Sequence, residues 1–112
     1  MKNIGGEIEN GSGKIAELIS RRRRQILVHS VIYYRMDENL ILDSTWSKWA
    51  KELEELQATY PKIAANQPYA KEFKGFDHST GCTLPLDDPW AVNKAMQLIR
   101  IERRKKRDNH EQ

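Results

Sequence analysis

From Lys14 onward the chain alternates apolar and polar positions with a helical period. Ile15, Leu18, Ile19, Ile26 and Tyr33 fall near one stripe, which also takes in Arg22 and Ser30. Successive residues of a helix point about 100° apart, so Arg21–Arg24 cannot all face water equally. Arg22 lies on the stripe and has to snorkel, its alkyl stem lying on apolar neighbours with the charge outward. The stretch QILVHSVIYY is ambiguous by pattern alone, because its β-branched and aromatic content also suits a buried strand. Asp43-Ser44-Thr45 predicts a helix start with Asp43 as N-cap. Trp46, Trp49, Ala50, Leu53, Leu56 and Tyr60 then follow at helical spacing, opposite Lys48, Lys51, Glu52, Glu54 and Glu55, until Pro61 ends the element. Met36–Leu42 is long enough only for a turn, so residues 14–60 predict a helical hairpin.

The next stretch, 61–86, is punctuated by Pro61, Pro68, Gly75, Gly81 and Pro85, and anchored by Ile63, Tyr69, Phe73, Phe76, Leu84 and Leu86. A structureless loop of that length is uncommon in a compact domain. A short helix near Tyr69–Phe73 is expected, then a turn or small hairpin about Asp77–Gly81. Asp88 as N-cap and Pro89 at the first helical position open a last helix. Its stripe is Val92, Ala95, Met96 and Ile99, and it is expected to fray after Arg104. The fold class is mainly α: a helical hairpin plus a C-terminal helix, with a short irregular or β-hairpin-like insertion. The expected organisation is a flexible arm over 1–13, a single helical domain over 14–104 and a basic disordered tail over 105–112.

Composition narrows the class. With 112 residues, 38% of them hydrophobic and 31% charged, the chain has material for one modest core. No run approaches the roughly 18 apolar residues of a membrane span, and the first residues lack the apolar block of a signal peptide. A single cysteine, Cys82, rules out an internal disulfide and a multi-thiolate metal site. His29, His78 and His110 show no metal-ligand spacing. A cytoplasmic protein without a metal is the resulting expectation.

Charge is unevenly placed. Residues 1–35 carry seven Lys/Arg against three Asp/Glu, residues 36–88 five against ten, and residues 89–112 seven against three. An acidic middle therefore separates two basic ends. Arg21, Arg23 and Arg24 in the first, with Arg103, Arg104, Lys105, Lys106 and Arg107 in the last, are candidate nucleic-acid contacts. The same runs also read as a solvated helix face and a frayed tail, since neither run contains a stacking aromatic.

The densest chemical cluster is Tyr33-Tyr34-Arg35-Met36-Asp37, followed by Asp43 and Trp46. Two tyrosines at a helix end, beside a carboxylate and an indole, make an aromatic slot with an acceptor at its rim. Such a slot suits a flat amide-bearing or cationic ring. Equally, Tyr33 and Trp46 can be core and Asp43 only a cap. In the Asp77–Gly81 turn, the backbone N–H groups beside Ser79, Thr80 and Gly81 are candidate phosphate or ribose contacts. Hydrogen bonding within the turn is the plainer reading. Adjacent residues rarely converge on one reacting atom, so Asp77, His78 and Ser79 are not read as catalytic.

The stretch from Leu18 to Pro61, centred on HSVIYYRMDENLILDSTWSKWAKELEELQATYP, resembles the N-terminal helical cap (domain Ia) of bacterial NAD-dependent DNA ligases. That family's approximate pattern is H-x-x-x-Y-[HY]-x-x-D-x-P-x-I-x-D-x-x-Y-D, then an E-L-x-x-L-E helix ending at proline. This chain supplies His29, Tyr33, Tyr34, Asp37, Ile41, Asp43, Trp46, Glu52-Leu53, Leu56 and Pro61 in ungapped register. Trp46-Ser47 stands where the family has Tyr-Asp, and Asn39 where it has proline. The resemblance implies that QILVHSVIYY is helical. It also implies that Tyr33, Tyr34, Asp43 and Trp46 contact the ring and amide of nicotinamide mononucleotide or NAD, as the ligase cap does when it orients the pyrophosphate for attack.

The ligase nucleophile motif K-x-D-G does not occur, and the cysteine set of a zinc module is absent as well, so the chain is not a complete ligase. GFDHSTGCTLPLDDPW is similar to a D-x-S-T-G…L-P-L-x-D-P-W stretch of stand-alone ligase-related proteins from phages and bacterial genomes. Two functions follow as expectations. One is a binding module for a nicotinamide nucleotide, serving a nucleotidyltransferase partner. The other is a phage-type interaction protein that binds DNA or a host protein through its basic ends.

Overall fold

The structure, a computed structural model, describes residues 2–79 and 83–111, with side chains over 13–79 and 83–108. Four helices follow in order: α1 (Lys2–Arg35), α2 (Asp43–Thr59), α3 (Pro61–Ala65) and α4 (Pro89–Glu111). The backbone helices thus extend through the segments expected as an arm and a tail. No strand occurs among the described residues, and the described part of the insertion is irregular.

α1 and α2 form the expected antiparallel hairpin. Ser30 pairs with Trp46, Arg22 with Glu52 and Arg23 with Gln57, so position rises on one helix as it falls along the other. The turn between them uses a positive φ of 53° at Asp37, a conformation that Asp tolerates better than most residues. α4 lies on another side of α1. Arg103 reaches Glu38 beyond the C-terminal end of α1, while Trp90 shares a groove with Arg21 and Arg24 further back. The two helices therefore run in the same direction, and α3 with the turns around it makes the crossover.

This placement resolves QILVHSVIYY. Ile26, Leu27, Val28, Val31 and Ile32 are all buried, because α1 is covered by α2 and α4 together. A helix with partners on two sides needs apolar residues around most of its circumference, which erases the amphipathic signature. The buried stripe keeps Ile19, Ile26 and Ser30 of the predicted one but takes in Arg23 in place of Arg22, and Tyr33 lies outside it at 51% exposure. On α4 the stripe is Ala91, Ala95 and Ile99, whereas Met96 is exposed.

Two boundary expectations are corrected. Asp43 is the first residue of α2 rather than its N-cap; Leu42 holds that position and makes no side-chain capping bond. The short helix lies at Pro61–Ala65, with proline at its start where its missing N–H costs nothing, and Tyr69–Phe73 is a single turn closed by Phe73 N–H to Tyr69 C=O. Tyr69 has φ of 65°, which prevents a regular helix from continuing through it. Asp88 behaves as expected, since its carboxylate accepts from the Ala91 N–H at 3.0 Å and from the Tyr69 hydroxyl at 3.0 Å. Phe73, Phe76 and Leu84 carry the crossover into the core.

Candidate functional site

Tyr33, Tyr34, Asp43 and Trp46 line one cavity of about 190 Å³ at the mouth of the α1–α2 hairpin. The last turn of α1 supplies the tyrosines, the first turn of α2 supplies Asp43 and Trp46, and the connection supplies Asn39 to Leu42. The tyrosine rings meet edge to face, 4.9 Å apart and 82° between planes, and each is about half exposed. They form a wall that solvent reaches and are not core residues.

Deeper in, the Trp46 indole is fixed. Its Nε1–H donates to Ser30 Oγ at 3.3 Å, and the Ser30 hydroxyl donates to the Ile26 carbonyl at 2.6 Å. With its one polar group satisfied inward, the indole offers the cavity only an aromatic surface. Asp43 forms no ion pair or side-chain hydrogen bond among the described residues, because Leu42 stands at the cap position instead. A carboxylate relieved of capping remains available at the rim.

His29 and Ser47 also line the cavity. The His29 ring packs against Trp49 at 5.7 Å, and its buried Nδ1 has no hydrogen-bond partner among the described residues. Burial pushes the His29 pKa below the ordinary histidine value, so the ring is neutral at pH 7. Sequence reasoning placed His29 in the ligase-like pattern without naming it as a site residue. Its position one turn before Tyr33 and Tyr34 was the signal that it shares their end of α1.

The basic candidates separate. Arg23 is 2% exposed, so it is not a nucleic-acid contact. Its guanidinium donates to Gln57 Oε1 at 2.9 Å and to the carbonyls of Pro68 and Gln67 at 3.1 and 3.3 Å, and it lies over the Phe73 ring. Arg21 is exposed and pairs with Glu17, and Arg24 is exposed. Arg22 is partly buried against Trp49 and pairs with Glu52 at 2.9 Å, as snorkelling requires. On α4, Arg103 binds Glu38 at 2.8 Å, while Arg104, Lys105, Lys106 and Arg107 are exposed.

The Asp77–Ser79 turn is also occupied from within. The Ser79 N–H and hydroxyl both donate to Asp77 Oδ1, and these bonds hold the Asp77 carboxyl below its usual range. A carboxylate already sits where Ser79 would hold a phosphate, so Ser79 is not an anion contact. Thr80 and Gly81, the other two residues of that proposal, lie outside the described residues, as does Cys82. Among the described residues no group of His, Cys, Asp or Glu is arranged to hold a metal ion, and no helix is long and apolar enough to cross a membrane.

No protein-family model, curated protein or solved structure matches the chain.

Proposed function

We propose that the chain is a ligase-cap-like binding module that holds the nicotinamide mononucleotide part of NAD, or a related nucleotide, between Tyr33, Tyr34, Asp43 and Trp46. What carries the reading is the convergence of these four residues on one cavity, with the Asp43 carboxylate free at its rim. The nicotinamide ring of NAD is flat and cationic, and such a ring gains from aromatic faces and from a nearby carboxylate. Asn39, also in the lining, offers an amide donor and acceptor to a carboxamide.

The cavity's size limits what it holds. At about 190 Å³ it falls below the roughly 300–1,000 Å³ of sites that enclose a whole small molecule. It seats one ring and leaves ribose and phosphate outside, so the isolated chain binds weakly. A nucleotidyltransferase partner would supply the adenylate pocket and the reacting lysine.

Titration of nicotinamide mononucleotide, followed by amide chemical shifts, tests the reading. The expected result is saturable shifts confined to residues 29–47, diminished in Asp43→Asn and Tyr33→Leu. Nicotinate mononucleotide should bind less well, because its carboxylate faces Asp43. Absence of shifts at roughly 10 mM ligand, where a binding free energy of about 3 kcal/mol would register, refutes the reading.

A further inference from the structure

The fold assembles something that neither basic run contains by itself: an exposed aromatic ring beside unpaired cations. A groove of about 510 Å³ runs between α1 and α4. Arg21, Arg24, Trp90, Lys94 and Leu98 line it, and Pro68 closes one side. Trp90 is 43% exposed, a large area for an indole at a helix start. Neither Arg24 nor Lys94 forms an ion pair among the described residues, whereas Arg21 is engaged by Glu17.

We propose that this groove binds single-stranded nucleic acid, with one base stacked on Trp90 and the adjoining phosphates held by Arg24 and Lys94. Stacking needs an unpaired base, because the faces of a paired base are covered by its neighbours in the duplex. The groove is concave, whereas a duplex is read by elements that protrude into its grooves. Its volume falls within the roughly 300–1,000 Å³ that encloses a nucleotide-sized unit. An acidic peptide would satisfy the two cations and leave the ring without a role. The basic residues on α4 beyond Lys94 extend the positive field along the strand, with Lys105 on the same helical face as Trp90 and Lys94. The tyrosine-lined cavity is a different site, and the inference does not rest on it.

The test is binding of a fluorescently labelled oligothymidylate to the full chain across a salt series, together with tryptophan quenching. Affinity should fall with salt, and Arg24→Gln/Lys94→Gln should make the log–log slope shallower by about 1.4, at about 0.7 per phosphate for single strands. Trp90→Ala should weaken binding by about 5- to 150-fold. Trp90→Phe should retain much of the affinity yet lose the quenching, which places the base on that ring whatever happens to the alanine variant's stability. Nicotinamide mononucleotide should not displace the strand, so this proposal and the preceding one fail separately. Three outcomes overturn it: no binding at low salt, unchanged affinity in a folded Trp90→Ala variant, or displacement by a Glu-rich peptide as readily as by unlabelled strand.

Discussion

Replacing Arg23 by alanine should destabilise the protein by about 2–4 kcal/mol, while the same change at its neighbour Arg24 should cost no more than about 0.5 kcal/mol. Arg23 joins three parts of the fold. Its donors reach Gln57 of α2 and the backbone carbonyls of Gln67 and Pro68, and its guanidinium lies over Phe73. Hydrogen bonds from a charged donor contribute about 1.5–3 kcal/mol each before shared losses are discounted. Gln57 cannot easily turn away, because its Nε2–H₂ donates to the Phe73 carbonyl at 3.1 Å. Removing the guanidinium therefore strands its acceptors. Burial also pushes the Arg23 pKa down, which is the cost that these bonds offset. Lysine is a poor substitute, since a compact ammonium cannot reproduce the planar fork over a ring. Urea unfolding followed by helical circular dichroism gives the measurement. Domains of this kind are stable by about 5–15 kcal/mol, so Arg23→Ala should lose a large share of the transition midpoint. Equal midpoints for Arg23→Ala and Arg24→Ala would refute the reasoning and return Arg23 to the surface.

Three further predictions concern single side chains. Asp88→Ala should cost about 1–2 kcal/mol, because the carboxylate caps α4 through the Ala91 N–H and accepts the Tyr69 hydroxyl. Asp43→Ala should cost about 0.5 kcal/mol or less, keeping only a macrodipole contribution; similar losses in the two melts would show that Asp43 caps after all. Tyr69 gives a pH dependence: desolvation first, then its bond to Asp88, push its pKa from 10 up to about 12. The folded chain therefore holds the phenol proton more tightly than the unfolded chain. That contribution is complete below pH 10 and is lost as pH rises toward 12. In denaturation at several alkaline pH values, Tyr69→Phe should show a shallower decline than the parent chain, and parallel declines would contradict the assignment.

The local elements were legible because they depend on neighbours in sequence. The α2 stripe, the Asp88-Pro89 start of α4 and the brevity of the 36–42 connection all follow from helical spacing, capping chemistry and chain reach. The pairing of Tyr33 and Tyr34 with Asp43 and Trp46 was legible for a related reason, since a short connection leaves two helix ends side by side. What the chain could not disclose locally was how many partners α1 has. With one partner it would need a single stripe, and Arg23 would point to water; with α2 on one side and the crossover residues Gln67, Pro68 and Phe73 packed against it, that position is enclosed. The joining of Trp90 to Arg24 has the same origin, as 66 residues separate them and only the parallel return of α4 along α1 closes that distance. Sequence by itself determined where helices start, stop and turn their apolar sides. Tertiary structure decided which charges are buried and which aromatics meet them, because burial depends on what packs from elsewhere in the chain, and spacing along one helix carries no record of that.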